Sequence, residues 1–215
     1  LVYDSTIYVA THSGGLWRST DAAQTFTRIY STSTRIHEIE VRDDGYIFIA
    51  VNAFGIVKIN EETLETTRLN GIGWPASGYS RISFDYVRDF PEVMYAQLAS
   101  PNGFDISALY KTSNGGLTWN KLADPPSNVS YAQAWYCFKL STAPTDTNFV
   151  MSTCVDPTYS SNSGQSWSSM ADPHADYHEI TWINDNDFLV GNDAGVSRFN
   201  KNNMGQFIDL NNGLN

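Results

Sequence analysis

Residues 111–122, Lys111-Thr-Ser-Asn-Gly-Gly-Leu-Thr-Trp-Asn-Lys-Leu122, recur in variant form as Arg18-Ser-Thr-Asp-Ala-Ala-Gln-Thr-Phe-Thr-Arg-Ile29 and Ser160-Ser-Asn-Ser-Gly-Gln-Ser-Trp-Ser-Ser-Met170. Each copy has a hydroxyl residue, an Asp or Asn, a small residue, then Thr or Ser, an aromatic, and an apolar residue three positions later. These types share one physical task. Short polar side chains bond nearby backbone N–H groups, glycine permits positive φ, and the aromatic supplies apolar area, so each copy reads as a capped turn between two strands. The residues assigned to it are Ser19, Asp21, Thr25 and Phe26; Ser113, Asn114, Gly116, Thr118 and Trp119; and Ser161, Asn162, Gly164, Ser166 and Trp167.

Two weaker copies share the tail at 66–69 and 207–210. The closing apolar residues are then 29, 69, 122, 170 and 210, spaced by 40, 53, 48 and 40. A period of this length marks the four-stranded blade of a propeller rather than a helical solenoid. The interior of each period supplies the strands. In the second, IHEIEV (36–41) is followed by the turn Asp43-Asp44-Gly45, YIFIAV (46–51), GIVKI (55–59) and 66–69. The same plan places inner strands at RISFDYV (81–87), AWYCFKL (134–140) and HEITWI (178–183), and no window has a helical period. The chain is therefore expected to be all-β, with blades at about 1–30, 36–70, 80–123, 133–171 and 178–211. The first copy leaves only Leu1-Val-Tyr3 upstream of its strands and is counted as three-stranded, giving 19. This count suggests an arc of a larger propeller, of seven blades or more, with a five-bladed ring as the alternative.

Composition fits that architecture. The chain of 215 residues carries 13 Lys plus Arg against 23 Asp plus Glu, a net charge of −10. Nucleic acid and anionic membrane surfaces are thereby disfavoured as partners, because either calls for a cationic surface. No run is apolar and long enough for membrane insertion. Cys137 and Cys154 flank a short turn between adjacent runs, which allows either a cross-strand disulfide or two buried thiols. Asn128-Val-Ser130 is a glycosylation sequon.

The repeated segment resembles the Asp-box, Ser-x-Asp-x-Gly-x-Thr-Trp, closely at 113–119 and 161–167 and less so at 19–26, where Ala replaces Gly and Phe replaces Trp. The stretch His174-Ala-Asp-Tyr-His178, with Phe188-Leu-Val-Gly-Asn-Asp-Ala-Gly-Val196 after it, resembles the closing part of BNR/Asp-box propellers of the sortilin-like and exo-xyloglucanase-like group. Ala194 stands where that group has the first Gly of a Gly-Gly turn. The resemblance covers most of the chain. It implies a secreted or cell-surface module that binds a protein or glycan ligand, with the remaining blades supplied by the same chain or another. Its alternative implication is a glycoside hydrolase, xyloglucanase-like or sialidase-like, acting through paired carboxylates at the propeller mouth.

In such a fold the loops entering the first strand and joining the second to the third share one face. That places His174, Asp176, His178, Asn192 and Asp193 together, with His12, His37 and Trp74 contributed by other blades. His174, Asp176 and His178 alternate, so extended backbone would bring them onto one face. Asp176 and Asp193 are the best catalytic carboxylate pair available. No metal or other cofactor is assigned; Asp185-Asn-Asp187 resembles a calcium loop but lacks its Gly and closing Glu, and fits a hairpin turn.

Overall fold

The computed structural model describes residues 1–126, 129–171 and 174–213; Asn128 of the sequon lies outside them. The described residues form twenty strands and no helix, so none is long and apolar enough to cross a membrane. They make five antiparallel four-stranded sheets, each in chain order. The first comprises β1 (Val2–Tyr3), β2 (Thr6–Ala10), β3 (Leu16–Ser19) and β4 (Thr27–Tyr30). The second is β5 (Ile36–Arg42), β6 (Tyr46–Val51), β7 (Gly55–Asn60) and β8 (Thr66–Arg68). The third is β9 (Ile82–Val87), β10 (Phe90–Ala99), β11 (Ile106–Thr112) and β12 (Asn120–Lys121). The fourth is β13 (Lys139–Thr142), β14 (Val150–Thr153), β15 (Pro157–Ser160) and β16 (Ser168–Ser169), and the fifth β17 (Glu179–Trp182), β18 (Asp187–Asn192), β19 (Gly195–Asn200) and β20 (Phe207–Asp209).

Two expectations change. The first sheet has four strands, because Val2 and Tyr3 pair with Ile7 and Thr6, a stub too short to carry a periodic signal. The inner strand of the fourth sheet begins at Lys139 rather than at Ala134; Trp135 and Tyr136 lie in the turn before it and are exposed. Cys137 and Cys154 are bonded, with Cα atoms 4.5 Å apart, tying that turn to the end of β14.

The first strands β5, β9, β13 and β17 contact one another in succession, and β2 contacts β5, so they form the inner edge of an arc. Four apolar clusters fill the spaces between successive sheets. Because middle strands are covered on both faces, β6 is buried without alternation over 47–51 and β10 over 93–99. No cluster among the described residues joins the fifth sheet to the first. Among the described residues the five sheets follow one another as an arc.

The repeated turns are superimposable in their bonding. Asp21 Oδ1 accepts from Ser19 Oγ (2.8 Å) and Thr25 N (2.9 Å), and Ser19 Oγ accepts from Ala23 N (3.0 Å). Asn114 accepts likewise from Thr112 Oγ1 and Thr118 N (both 2.9 Å), and Asn162 from Ser160 Oγ (2.8 Å) and Ser166 N (3.0 Å). The capping hydroxyls are therefore Ser19, Thr112 and Ser160, all buried, two residues before the Asp or Asn. Ser113 and Ser161, assigned to the cap from sequence, are exposed; adjacent hydroxyl residues made the register ambiguous. Hydrogen bonds from Thr25 and Ser19 pull the Asp21 carboxyl down to about 2.

The register makes an unequal pair of outcomes testable by chemical denaturation. Thr112→Ala and Ser160→Ala should each destabilise the fold by about 1 kcal/mol. Ser113→Ala and Ser161→Ala should stay within about 0.5 kcal/mol of the parent; equal effects at 112 and 113 would refute the observed register.

Candidate functional site

In an antiparallel four-stranded meander, the loops entering the first strand and joining the second to the third lie at one end. The repeated caps join the third strand to the fourth and lie at the other. All four histidines of the chain fall at the first end: His12 between β2 and β3, His37 near the start of β5, and His174 and His178 before β17.

The predicted residues divide into two groups there. Over the fourth and fifth sheets, His178 Nε2 lies 3.2 Å from Asp193 Oδ1, and Asn192 Nδ2 donates to the His174 carbonyl (3.1 Å). The Tyr136 ring meets the His178 ring edge-on, with centroids 4.9 Å apart. Over the second and third sheets, His37 Nε2 donates to Asn52 Oδ1 (3.0 Å). Burial, with Arg81, Arg35 and His12 nearby, pushes the His37 imidazole down to about 4, partly opposed by the Asn52 bond, so the ring is neutral at pH 7.

Several predictions fail for identifiable reasons. Asp176 has φ +64°, which takes it out of extended backbone, so the alternation of His174, Asp176 and His178 does not put them on one face. Among the described residues no three His, Cys, Asp or Glu side chains are grouped to hold a metal. Asp176 Oδ1 is buried without a partner, whereas Asp193 is on the rim with His178. Trp74 is 9% exposed and forms an aromatic cluster with Tyr79, Tyr110 and Trp119, so it packs between sheets instead of facing a ligand. The Asp187 carboxylate, in the segment likened to a calcium loop, is occupied by Asn184, Asn200 and Arg198, as a hairpin turn requires.

The structure adds residues that the sequence reading did not select. Arg81 Nη1 donates to the carbonyls of Ala134 (3.2 Å), Trp135 (3.1 Å) and Tyr136 (3.1 Å), fixing the turn that presents these two aromatic side chains. Beneath them, charged residues line the inner edge. Glu38 accepts from Ser83 Oγ (2.8 Å) and Phe84 N (2.7 Å), and Asp85 accepts from Thr142 N (2.8 Å). Lys139 Nζ lies 3.7 Å from Glu38 and 3.2 Å from Glu179. Burial opposes the Lys139 charge, but the surrounding carboxylates outweigh it and raise its pKa. Burial and then the Asp85 charge push Glu40 up to about 8; burial also pushes Asp85 up to about 6, against the bond from Thr142. A charged residue inside an otherwise apolar inner strand, as in IHEIEV, SFDYV and FKL, was the available signal.

The sequence matches no family model and no curated protein. Solved structures do resemble the arc. An ancestral GH74 enzyme superimposes with a TM-score of 0.69 at 14% identity, over 98% of this chain and 30% of that one. A COPII outer coat vertex chain gives 0.65 at 14% identity, over 94% and 57%, and YCF48 bound to D1 peptide gives 0.60 at 13%, over 91% and 61%. The fold is that of the β-propellers. At these identities the likeness shows architecture alone, and the chain spans less than two thirds of each of these relatives.

The inner-edge acids have a consequence for stability. A carboxyl whose pKa is raised by folding contributes its full stability below its unfolded value and loses it as pH rises through the folded value. Glu40 should therefore make the melting temperature climb as pH falls from about 8.5 to about 6.5. Below that, His37, depressed from 6.5, opposes the gain, since it must be charged to unfold favourably. Glu40→Gln should flatten the alkaline slope in a thermal melt series; an unchanged slope would contradict a proton held at Glu40.

Proposed function

We propose that the chain is five blades of a larger Asp-box propeller that works outside the cell as a recognition module, binding a polysaccharide or protein on its histidine-bearing end. The observation that carries this reading is the concentration there of all four histidines, Arg81 and exposed Trp135 and Tyr136 on loops held by a rigid sheet scaffold. Aromatic faces and hydrogen-bonding side chains on rigid loops suit sugar rings and peptides alike. The buried Cys137–Cys154 disulfide supports an oxidising compartment.

Bare apolar flanks at both ends of the arc support further blades. The fifth sheet exposes Phe207 and Ile208 (59% exposed) beside an outer groove of about 270 Å³, and the first exposes Val9 and Phe26. Packing against another blade, in the same chain or in a partner, removes that surface from water. Mass spectrometry of the native protein should give a mass well above the 24.0 kDa of these residues; a mature mass of that value would count against it.

A second reading is glycoside hydrolysis, supported by the likeness to GH74 enzymes and by the rim carboxylate Asp193 set against His178. The two readings separate in one comparison. Glycan-array binding without turnover of a xyloglucan oligosaccharide or a fluorogenic sialoside is the expected outcome. Turnover abolished by Asp193→Asn would instead establish the enzyme.

A further inference from the structure

At the histidine-bearing end, a groove of about 190 Å³ runs between the second and third sheets, with Arg35, His37, Asn52, Arg81, Asn102 and Trp135 among its lining residues and no carboxylate among them. In a protein of net charge −10 this is a local inversion. The exposed Arg35 makes no ion pair among the described residues, and Arg81 is bonded only to backbone carbonyls. The acid below them, Glu38, is already engaged by Ser83, the Phe84 amide and Lys139.

The neutral groups in the groove lean the same way. Asn52 spends its carbonyl on His37, and Asn102 spends its carbonyl on Ser100 Oγ (2.6 Å) and Phe104 N (3.0 Å). Each amide then has its NH2 left to offer, so the asparagines join the guanidiniums as donors, while the neutral His37 ring keeps Nδ1 as an acceptor. Burial lowers the Arg81 pKa; the Glu38 charge opposes that shift, and the nearby Arg35 charge adds to it more weakly. Donors and like charges with no anion between them favour an acidic ligand, and guanidinium forks match carboxylate geometry. On the rim, Trp135 is 58% exposed, an indole face able to cover the apolar face of a sugar ring.

We propose that this groove is a subsite for an acidic sugar, a uronate whose carboxylate is held by Arg35 and Arg81 while its ring lies against Trp135. The proposal rests on the reading of this end as the ligand-binding face. An indole platform beside amide donors favours a pyranose over the carboxylate of a peptide terminus, which lacks a flat ring to stack.

Calorimetric titration of the protein with trigalacturonic acid, its methyl ester and a short peptide with a free C-terminus tests it. The free acid should bind, with affinity falling as salt rises, and methyl esterification should weaken it about tenfold or more. Arg35→Gln, at a side chain with no hydrogen bond or ion pair among the described residues, should cause a similar loss without moving the melting temperature, and Trp135→Ala should weaken the acid and its ester together. Equal binding of acid and ester, or of parent and Arg35→Gln, would overturn the carboxylate subsite while leaving the binding face intact. Tighter binding of the peptide, abolished by Arg35→Gln, would overturn the sugar assignment. Failure of every glycan and peptide to bind would refute the subsite and the recognition module together.

Discussion

The arc depends on a carboxylate reaching from one inner strand to the backbone of the next. Each inner strand is a sheet edge, with N–H groups that no ladder partner satisfies. Successive inner strands splay as sheets fan around an axis, so they do not pair directly. Glu38 closes the gap by accepting from Phe84 N, and Asp85 repeats the device one sheet later on Thr142 N. Charge-assisted bonds of this kind contribute about 1.5–3 kcal/mol each, and removing one leaves a buried donor unsatisfied. The geometry concentrates negative charge where it is least solvated. Lys139 between Glu38 and Glu179 offsets part of it, and Glu40 keeps its proton near neutrality for the same reason.

The outer part of the arc is joined by different means. Trp119 Nε1 donates to the Leu69 carbonyl (2.7 Å) and Trp167 Nε1 to the Ala123 carbonyl (2.9 Å), each reaching the segment that follows the preceding sheet's last strand. The glycines of the same turns lie against the closing leucines: a Cβ on Gly116 would sit 2.9 Å from Leu69 Cβ, and one on Gly164 would sit 2.6 Å from Leu122 Cδ1. Both also have positive φ. The first turn departs at these two positions together. Ala23 takes the glycine position at φ +67° and Phe26, 39% exposed, takes the tryptophan position. In the described residues no sheet packs on that side, so nothing there excludes a methyl group or accepts an indole N–H.

The repeat was legible because the turn chemistry demands particular residue types at fixed offsets, and the spacing of closing apolar residues then fixed the sheets. What escaped did so for local physical reasons. Thr112-Ser113 and Ser160-Ser161 each offer two hydroxyls, and only burial selects the first. Trp74 sits among glycines and a proline, a context that reads as exposed loop, yet its indole completes an aromatic cluster between the second and third sheets. Asp176 was placed by strand alternation that a single positive φ cancels. Glu38, Glu40 and Asp85 looked like the polar face of ordinary strands, since their role depends on a neighbour more than forty residues away.

Net charge therefore describes this molecule poorly at the place where a ligand would meet it. Many acids are consumed internally: Asp21 by its own turn, Asp187 by Asn184, Asn200 and Arg198, Asp85 by a backbone amide, and Glu38 by its neighbours on the inner edge. Acids so engaged hold the scaffold and leave little acceptor capacity for a partner. Unspent capacity lies instead with Arg35, the asparagine amides and the aromatic rim. An acidic protein can in this way present a donor-rich groove, and a negative overall charge that disfavours polyanionic surfaces does not exclude a carboxylate. Selectivity at such a face follows from which few groups are left unpaired after the fold has taken what it needs.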